Sequence, residues 1–208
     1  MQSRRPLDRS FRLEPMPARF HLLHAGYIRD SGRTVGSSVS LIDDDGTLIV
    51  VDPGLVAEPD AILRPLAALG HSPADVTHVV LTHHHPDHTV NAARFPKAEV
   101  VDAWAHYRGD QWIDHEGDGH RLSPHAWLIM TPGHTNQDLT LLVETDDGVV
   151  ACTHAWWRTD RTPEVDAGAD DQAVLEDSRR RILELADLVV PGHGEPVRND
   201  RSGAQSGG

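Results

Sequence analysis

Apolar positions recur along the chain in two rhythms. In "SSVSLIDDDGTLIVVDPG" (37–54), apolar runs flank Asp44-Asp45-Gly46. Asp-Gly between two such runs marks a tight hairpin, so the stretch predicts two antiparallel strands. "DLTLLVETDDGVVACTHAWW" (138–157) repeats the device around Asp146-Asp147-Gly148. Between them, "EPDAILRPLAALG" has helical periodicity and stops at Gly70. "DVTHVVLT" is a short β-branched run and predicts a buried strand. "QAVLEDSRRRILELA" predicts a long amphipathic helix whose apolar positions are Val174, Leu175, Ile182, Leu183 and Leu185. "DLVVPGHG" then reads as a strand running into a turn. The order is hairpin, helix, strand, helix, strands, hairpin, helix, strand. Two β-rich stretches, each followed by helix, suit two packed sheets with helices outside. No linker interrupts residues 19–198, so one domain is expected there. Residues 1–18 are expected to form a flexible arm. Residues 199–208, ending in "RSGAQSGG", are expected to form a disordered tail.

Composition narrows the classes. A chain of 208 residues can bury the core of one compact domain. No apolar run approaches the length of a membrane span. The N-terminal "MQSRRPLDRSFRLEPMP" is basic but lacks the apolar core of a secretory signal. A single cysteine, Cys152, precludes an internal disulfide and fits a cytoplasmic location. The formal net charge is −13, Lys97 is the only lysine, and no cluster of arginines reads as a nucleic-acid footprint. Such a chain repels polyphosphate, so a small-molecule substrate is expected rather than nucleic acid.

The candidate chemistry lies in "LTHHHPDHT" (81–89), which reads His83-x-His85-x-Asp87-His88. By itself this is either a histidine-rich loop or a metal site. Two further histidines bear on the choice. His134 lies in "TPGHT" after the apolar run "AWLIM", and His193 lies in "VVPGHG" after "DLVV". Both sit in Gly-containing turns after predicted strands, where sites are commonly built. Several imidazoles with a carboxylate suit a borderline-soft cation such as zinc.

With "VVDPG" (50–54) added to these motifs, the chain resembles the metallo-β-lactamase-fold hydrolases from about residue 20 to 197. Within them, "SPADVTHVVLTHHHPDHTVNAARFP" and "EDSRRRILELADLVVPGHGEPV" resemble the subgroup of metallo-β-lactamase domain-containing protein 1. The resemblance implies a four-layered αββα sandwich of the α/β class, with metals in a groove at one edge of the sheets. It maps His83, His85 and His134 onto a first metal site. It maps Asp87, His88 and His193 onto a second, and Asp52 onto a carboxylate that orients a ligand imidazole. Dinuclear members bridge their metals with an aspartate. Here that region reads "GVVACTHAWW", and either His154 or Cys152 falls in the aspartate's place, with His154 favoured. An imidazole normally binds one metal, so weaker second-metal binding or a mononuclear site is expected. Cys152 is otherwise a small core residue.

His84 reads as supporting the ligands from outside or lining the rim, and not as a ligand. The remaining histidines, Trp156 and Trp157 read as packing or surface residues, and "RTDRTPEVDAGADD" as a solvated loop. The function the resemblance implies is a zinc hydrolase, holding one or two ions. Hydroxide generated at the metal, oriented by Asp87, would attack a small-molecule ester, thioester or lactam. A phosphodiesterase or nuclease is the enzyme alternative, because the subgroup has been linked to RNA cleavage in animals. A mononuclear iron oxygenase and a non-catalytic metal-binding protein are the others. Many members of the family are dimers, so a homodimer is within expectation.

Overall fold

The two predicted hairpins lie in two different sheets. The computed structural model describes residues 16–160 and 165–200. The chain opens with β1 (Arg19–His24) and a small hairpin, β2 (Tyr27–Arg29) with β3 (Thr34–Gly36). The first predicted hairpin follows as β4 (Val39–Asp44) and β5 (Thr47–Val51). Asp45 and Gly46 between them take φ of 47° and 84°, the left-handed geometry that lets a two-residue turn follow the twist of its strands. Next come α1 (Asp60–Ala68), β6 (His78–Val80), a single turn α2 (Pro86–Thr89), β7 (Glu99–Val101), β8 (Ala105–Arg108) and β9 (Gln111–Asp114). The second half holds β10 (Arg121–Ser123), β11 (Ala126–Met130), β12 (Leu139–Thr145) and β13 (Gly148–Cys152). It ends with α3 (Gln172–Leu185), β14 (Leu188–Val190) and β15 (Val197–Arg198).

The first sheet has the order β1-β4-β5-β6-β7-β8-β9 and the second β10-β11-β12-β13-β14-β15. Strand periodicity explains their stacking. Ile42, Ile49 and Val51 face the second sheet, while the alternate residues Leu41, Leu48 and Val50 pack with Ile62 and Leu66 of α1. In the second sheet Leu139, Leu141 and Val143 point inward, and Leu142 packs outward with Leu175 and Ile182 of α3. The layers are therefore helix, sheet, sheet, helix, the expected αββα sandwich. Asp44 ties the two sheets by accepting from the His125 backbone N–H and Nδ1, each at 2.8 Å.

Helix α3 is capped by Asp171, whose Oδ1 accepts the N–H groups of Ala173 and Val174. Its buried stripe runs Leu175, Ser178, Arg179, Ile182. Val174, Leu183 and Leu185, expected on the apolar face, are instead exposed. The stripe follows i, i+3, i+4, i+7 from Leu175, and these three fall outside it. Buried Arg179 is accommodated because its Nε donates to Ala155 O at 2.8 Å and its guanidinium lies over Trp156.

The expected arm falls partly on residues 1–15, which lie outside the described residues; Ala18 is buried and donates its N–H to Glu144 O. The expected tail falls mainly on 201–208, also outside them. Asn199 Nδ2 donates to Leu183 O and Ala186 O at the end of α3. Among the described residues no helix is long and apolar enough to cross a membrane.

Topology gathers the candidate loops. Strands β5 and β6 are parallel. β12 is antiparallel to both β11 and β13, and β14 is parallel to β13, so β11, β13 and β14 share a direction. The turns after these five strands carry Asp52, His83–His88, His134, His154 and His193.

Candidate metal centre

Asp52 is the platform of the site. It is buried at the end of β5 with φ 49°, an unusual left-handed conformation for a non-glycine residue. Its Oδ1 accepts Thr82 N at 2.7 Å, and its Oδ2 accepts Thr82 Oγ1 at 2.6 Å and His88 Nδ1 at 2.9 Å. One carboxylate thus fixes both ends of the histidine loop. Gly54 lets the same turn touch that loop. A Cβ there would lie 1.7 Å from Asp87 O, so no side chain is tolerated.

Hydrogen bonds set the tautomer of four of the rings. Thr82 Oγ1 gives its proton to Asp52, so His83 Nδ1, 3.2 Å away, is the donor to Thr82. His88 Nδ1 donates to Asp52. His134 Nδ1 donates to Asp166 Oδ2 at 3.0 Å, and His193 Nδ1 to Gly36 O at 3.0 Å. In the neutral ring each of these four histidines therefore carries its lone pair on Nε2.

Those lone pairs converge. His85 Nδ1 lies 3.0 Å from His83 Nε2 and 3.2 Å from His134 Nε2. His88 Nε2 lies 3.4 Å from His193 Nε2, and Asp87 Oδ2 is 3.6 and 3.5 Å from those two atoms. Ligands about 2.0–2.1 Å from a tetrahedral cation sit about 3.3 Å apart, so the spacings suit a metal. Lone pairs of neutral rings repel unless a cation lies between them. At this rim the donors form the groups His83–His85–His134 and Asp87–His88–His193, and a third, His83–His88–His154, that spans them. The donor chemistry, imidazole nitrogens with one carboxylate and outer carboxylates on His88 and His134, fits zinc or a similar first-row ion.

His154 joins this cluster and Cys152 does not. The His154 ring centroid is 4.2 Å from His83, 4.3 Å from His134 and 4.7 Å from His88. Its Nε2 is 3.3 Å from His193 Nε2, and its buried Nδ1 has no hydrogen-bond partner. It stands between the two groups, against both. Cys152, two residues earlier on β13, is packed in the core between the sheets, and burial pushes its thiol up to about 12. It belongs to none of the metal-compatible groups among the described residues.

Burial lowers the pKa of His83, His134 and His154, and of His193 to about 4. These rings are neutral near pH 7, the state a metal requires. His85 is exposed and Asp87 half-buried, so the cluster opens to solvent on their side. There it meets a cavity of about 430 Å³ walled by Ile28 and Val35 of the β2–β3 hairpin and by Trp157.

Several placements depart from the sequence reading. Asp166 lies in the stretch expected to be solvated, yet it is buried against His134, because the chain folds back over the cluster before α3. No local pattern marks it. Trp157 forms a cavity wall and leaves its buried Nε1–H unpartnered, whereas Trp156 packs in the core. His84 turns away from the cluster, with Nε2 2.8 Å from Asp102 Oδ2 and its ring edge-on to Trp104. His106, His115 and His120 form a cluster of their own.

Comparison with known proteins agrees with this architecture. The family model of the metallo-beta-lactamase superfamily matches residues 32–204. The chain is 35% identical over 203 residues to metallo-beta-lactamase domain-containing protein 1 of Xenopus laevis, covering 93% of this chain and 86% of that protein. It is 36% identical over 106 residues to hydroxyacylglutathione hydrolase of Stenotrophomonas maltophilia, covering 48% of this chain and 39% of that protein. The crystal structure of a metallo-beta-lactamase family protein from Thermus thermophilus superposes with a TM-score of 0.66 at 20% identity, covering 88% of this chain and 76% of that one. The chain belongs to the metallo-β-lactamase superfamily.

Proposed function

We propose that the chain is a zinc-dependent hydrolase of a small-molecule ester, thioester or lactam. The observation that carries this is the convergence of locked imidazole lone pairs on one rim beside an open, apolar-walled cavity. His83, His85 and His134 would hold one ion. Asp87, His88 and His193, with His154, would hold the other. Zinc in such a site supplies Lewis acidity and lowers the pKa of a bound water towards neutrality.

The chain's own groups do the remainder. Asp87 stands at the mouth of the cluster, where its carboxylate can accept a hydrogen bond from an attacking water and orient it. Asp52 and Asp166 keep His88 and His134 in their ligating tautomers. Ile28, Val35 and Trp157 favour a neutral acyl group, and no Lys or Arg is among the described residues lining this cavity. That favours an acyl compound over a phosphodiester. With His154 where dinuclear relatives carry an aspartate, Asp87 is the only anion in the second group, which supports weaker binding of the second ion.

The test is turnover on a panel of aryl esters, thioesters, lactams and phosphodiesters, using native, chelator-stripped and zinc-reloaded protein. Hydrolysis of an acyl substrate is expected, lost on stripping and restored by zinc. The His134→Ala variant should lose at least about 100-fold, the scale set by removing a main catalytic element. Full turnover in stripped protein, turnover of phosphodiesters alone, or iron with oxygen uptake would overturn the reading.

A further inference from the structure

At the opposite end of β6 from the metal centre, three neighbouring strands bring another donor set together. His78 begins β6, Glu99 begins β7 and His106 lies on β8. His78 pairs with Glu99, and Val101 pairs with His106. Strand alternation puts all three on the face that carries Val80 and Val101, the face turned towards the second sheet. Their donor atoms lie within 4.8 Å of one another, and all three residues are half-buried.

Hydrogen bonds again show which atoms are free. Thr77 Oγ1 gives its proton to Leu48 O at 2.9 Å. Its 2.9 Å contact with His78 Nδ1 therefore makes that nitrogen the donor and leaves Nε2 with the lone pair. Arg108 Nε donates to Glu99 Oε1, leaving Oε2 to face His106 Nδ1 at 3.4 Å. That spacing is longer than the roughly 2.9 Å typical of an N–H···O bond and close to the roughly 3.3 Å edge of a tetrahedral zinc site. The other nitrogen of His106 lies 2.7 Å from His120 Nε2, so the ring is held from behind by a residue on the β9–β10 connection. A ligating imidazole characteristically donates its second N–H in this way. His115 is already satisfied, since its Nε2 donates to Asp102 O and its Nδ1 accepts from Gly117 N. Burial holds His78 and His106 below their ordinary pKa, so both rings are neutral at pH 7.

We propose that His78, Glu99 and His106 form a separate site for a divalent first-row transition metal, with water completing its shell and His120 orienting His106. Glu99 and His106 lie outside the stretches that carry the family resemblance, and His78 is not among the residues it maps onto either metal site. The ion joins β6, β7 and β8 on one face and, through His120, fixes the crossing into the second sheet. Its role is to staple β6, β7 and β8 of the first sheet, away from the catalytic rim.

The test is zinc content by elemental analysis of full-length native protein and the Glu99→Gln and His106→Ala variants, after equilibration with zinc and removal of excess. Native protein should hold one zinc per chain more than either variant, with acyl turnover unchanged in both. The rise in unfolding temperature on adding zinc should also shrink in both variants. The same loss of one equivalent should appear when Glu99→Gln is introduced into a His83→Ala/His134→Ala background, which separates this site from the catalytic centre. Equal zinc content in native protein and folded Glu99→Gln overturns the proposal. That variant preserves the side chain's shape, so it decides the matter if His106→Ala fails to fold.

Discussion

At the scale of single residues, the site is a set of lone pairs and the groups that aim them. The ligand candidates were legible in the sequence because their spacing is local: His83, His85, Asp87 and His88 fall within one short loop. Between His154 and Cys152 the sequence favoured His154 but left both open, because one strand's periodicity allows either to face the site. The fold decides the placement by burying Cys152 between the sheets and leaving His154 among the other rings. Cys152→Ala should therefore leave zinc content unchanged and cost roughly 1 kcal/mol in chemical denaturation, an ordinary core loss. His154→Asp should raise zinc content towards full second-ion occupancy, because a carboxylate can bridge and cancels charge. Asp166 was illegible for another reason: it meets His134 from 32 residues away, through a turn with no motif. Asp166→Asn, read by competition with a chelator, should weaken zinc binding about 10- to 100-fold, as losing an outer partner of a ligand does. Unaltered affinity would show that Asp166 does not set that ring.

Among elements, those with strong local signals were legible. Both Asp-Gly hairpins, α1, β6, α3 and β14 follow from turn chemistry and periodicity. The strands β1–β3 and β8–β10 were missed because they are mixed in polarity, and tertiary pairing defines them more than propensity does. In α3, pattern alone gave too broad an apolar face. Leu175→Ala should cost about 2–5 kcal/mol and Leu183→Ala about 0.5 or less, measured by denaturant unfolding. Similar costs for the two would contradict the observed stripe. The turn after β14 makes its own prediction. A Cβ on Gly192 would lie 2.2 Å from His154 Cδ2, and Gly192 N is held by Trp156 O at 3.0 Å, so the backbone has little room to yield. Gly192→Ala should displace the His154 ring and lower zinc content while the far-ultraviolet circular dichroism stays native.

For the whole molecule, strand direction decides that loops from both sheets meet at one rim, and burial there makes stability depend on pH. His193 falls from an ordinary 6.5 to about 4 in the folded state, with burial the largest cause, and His83, His134 and His154 are lowered as well. Below pH 6.5 the unfolded chain takes up protons that the folded chain refuses. Stability is therefore greatest above that pH and is lost as pH falls towards 4. Asp138 works the other way. Burial raises its carboxyl to about 7, so its contribution is present at low pH and is lost as pH rises through 7. The metal-free protein should show a falling unfolding temperature between pH 7 and 5, more steeply in Asp138→Asn; a flat profile would contradict the neutral histidine cluster. The most direct test of the central claim is anomalous diffraction at the zinc edge from crystals of zinc-loaded protein. A peak among His83, His85 and His134, with a second among Asp87, His88, His193 and His154, is the predicted result. Ordered crystals with no anomalous density between those rings would contradict it.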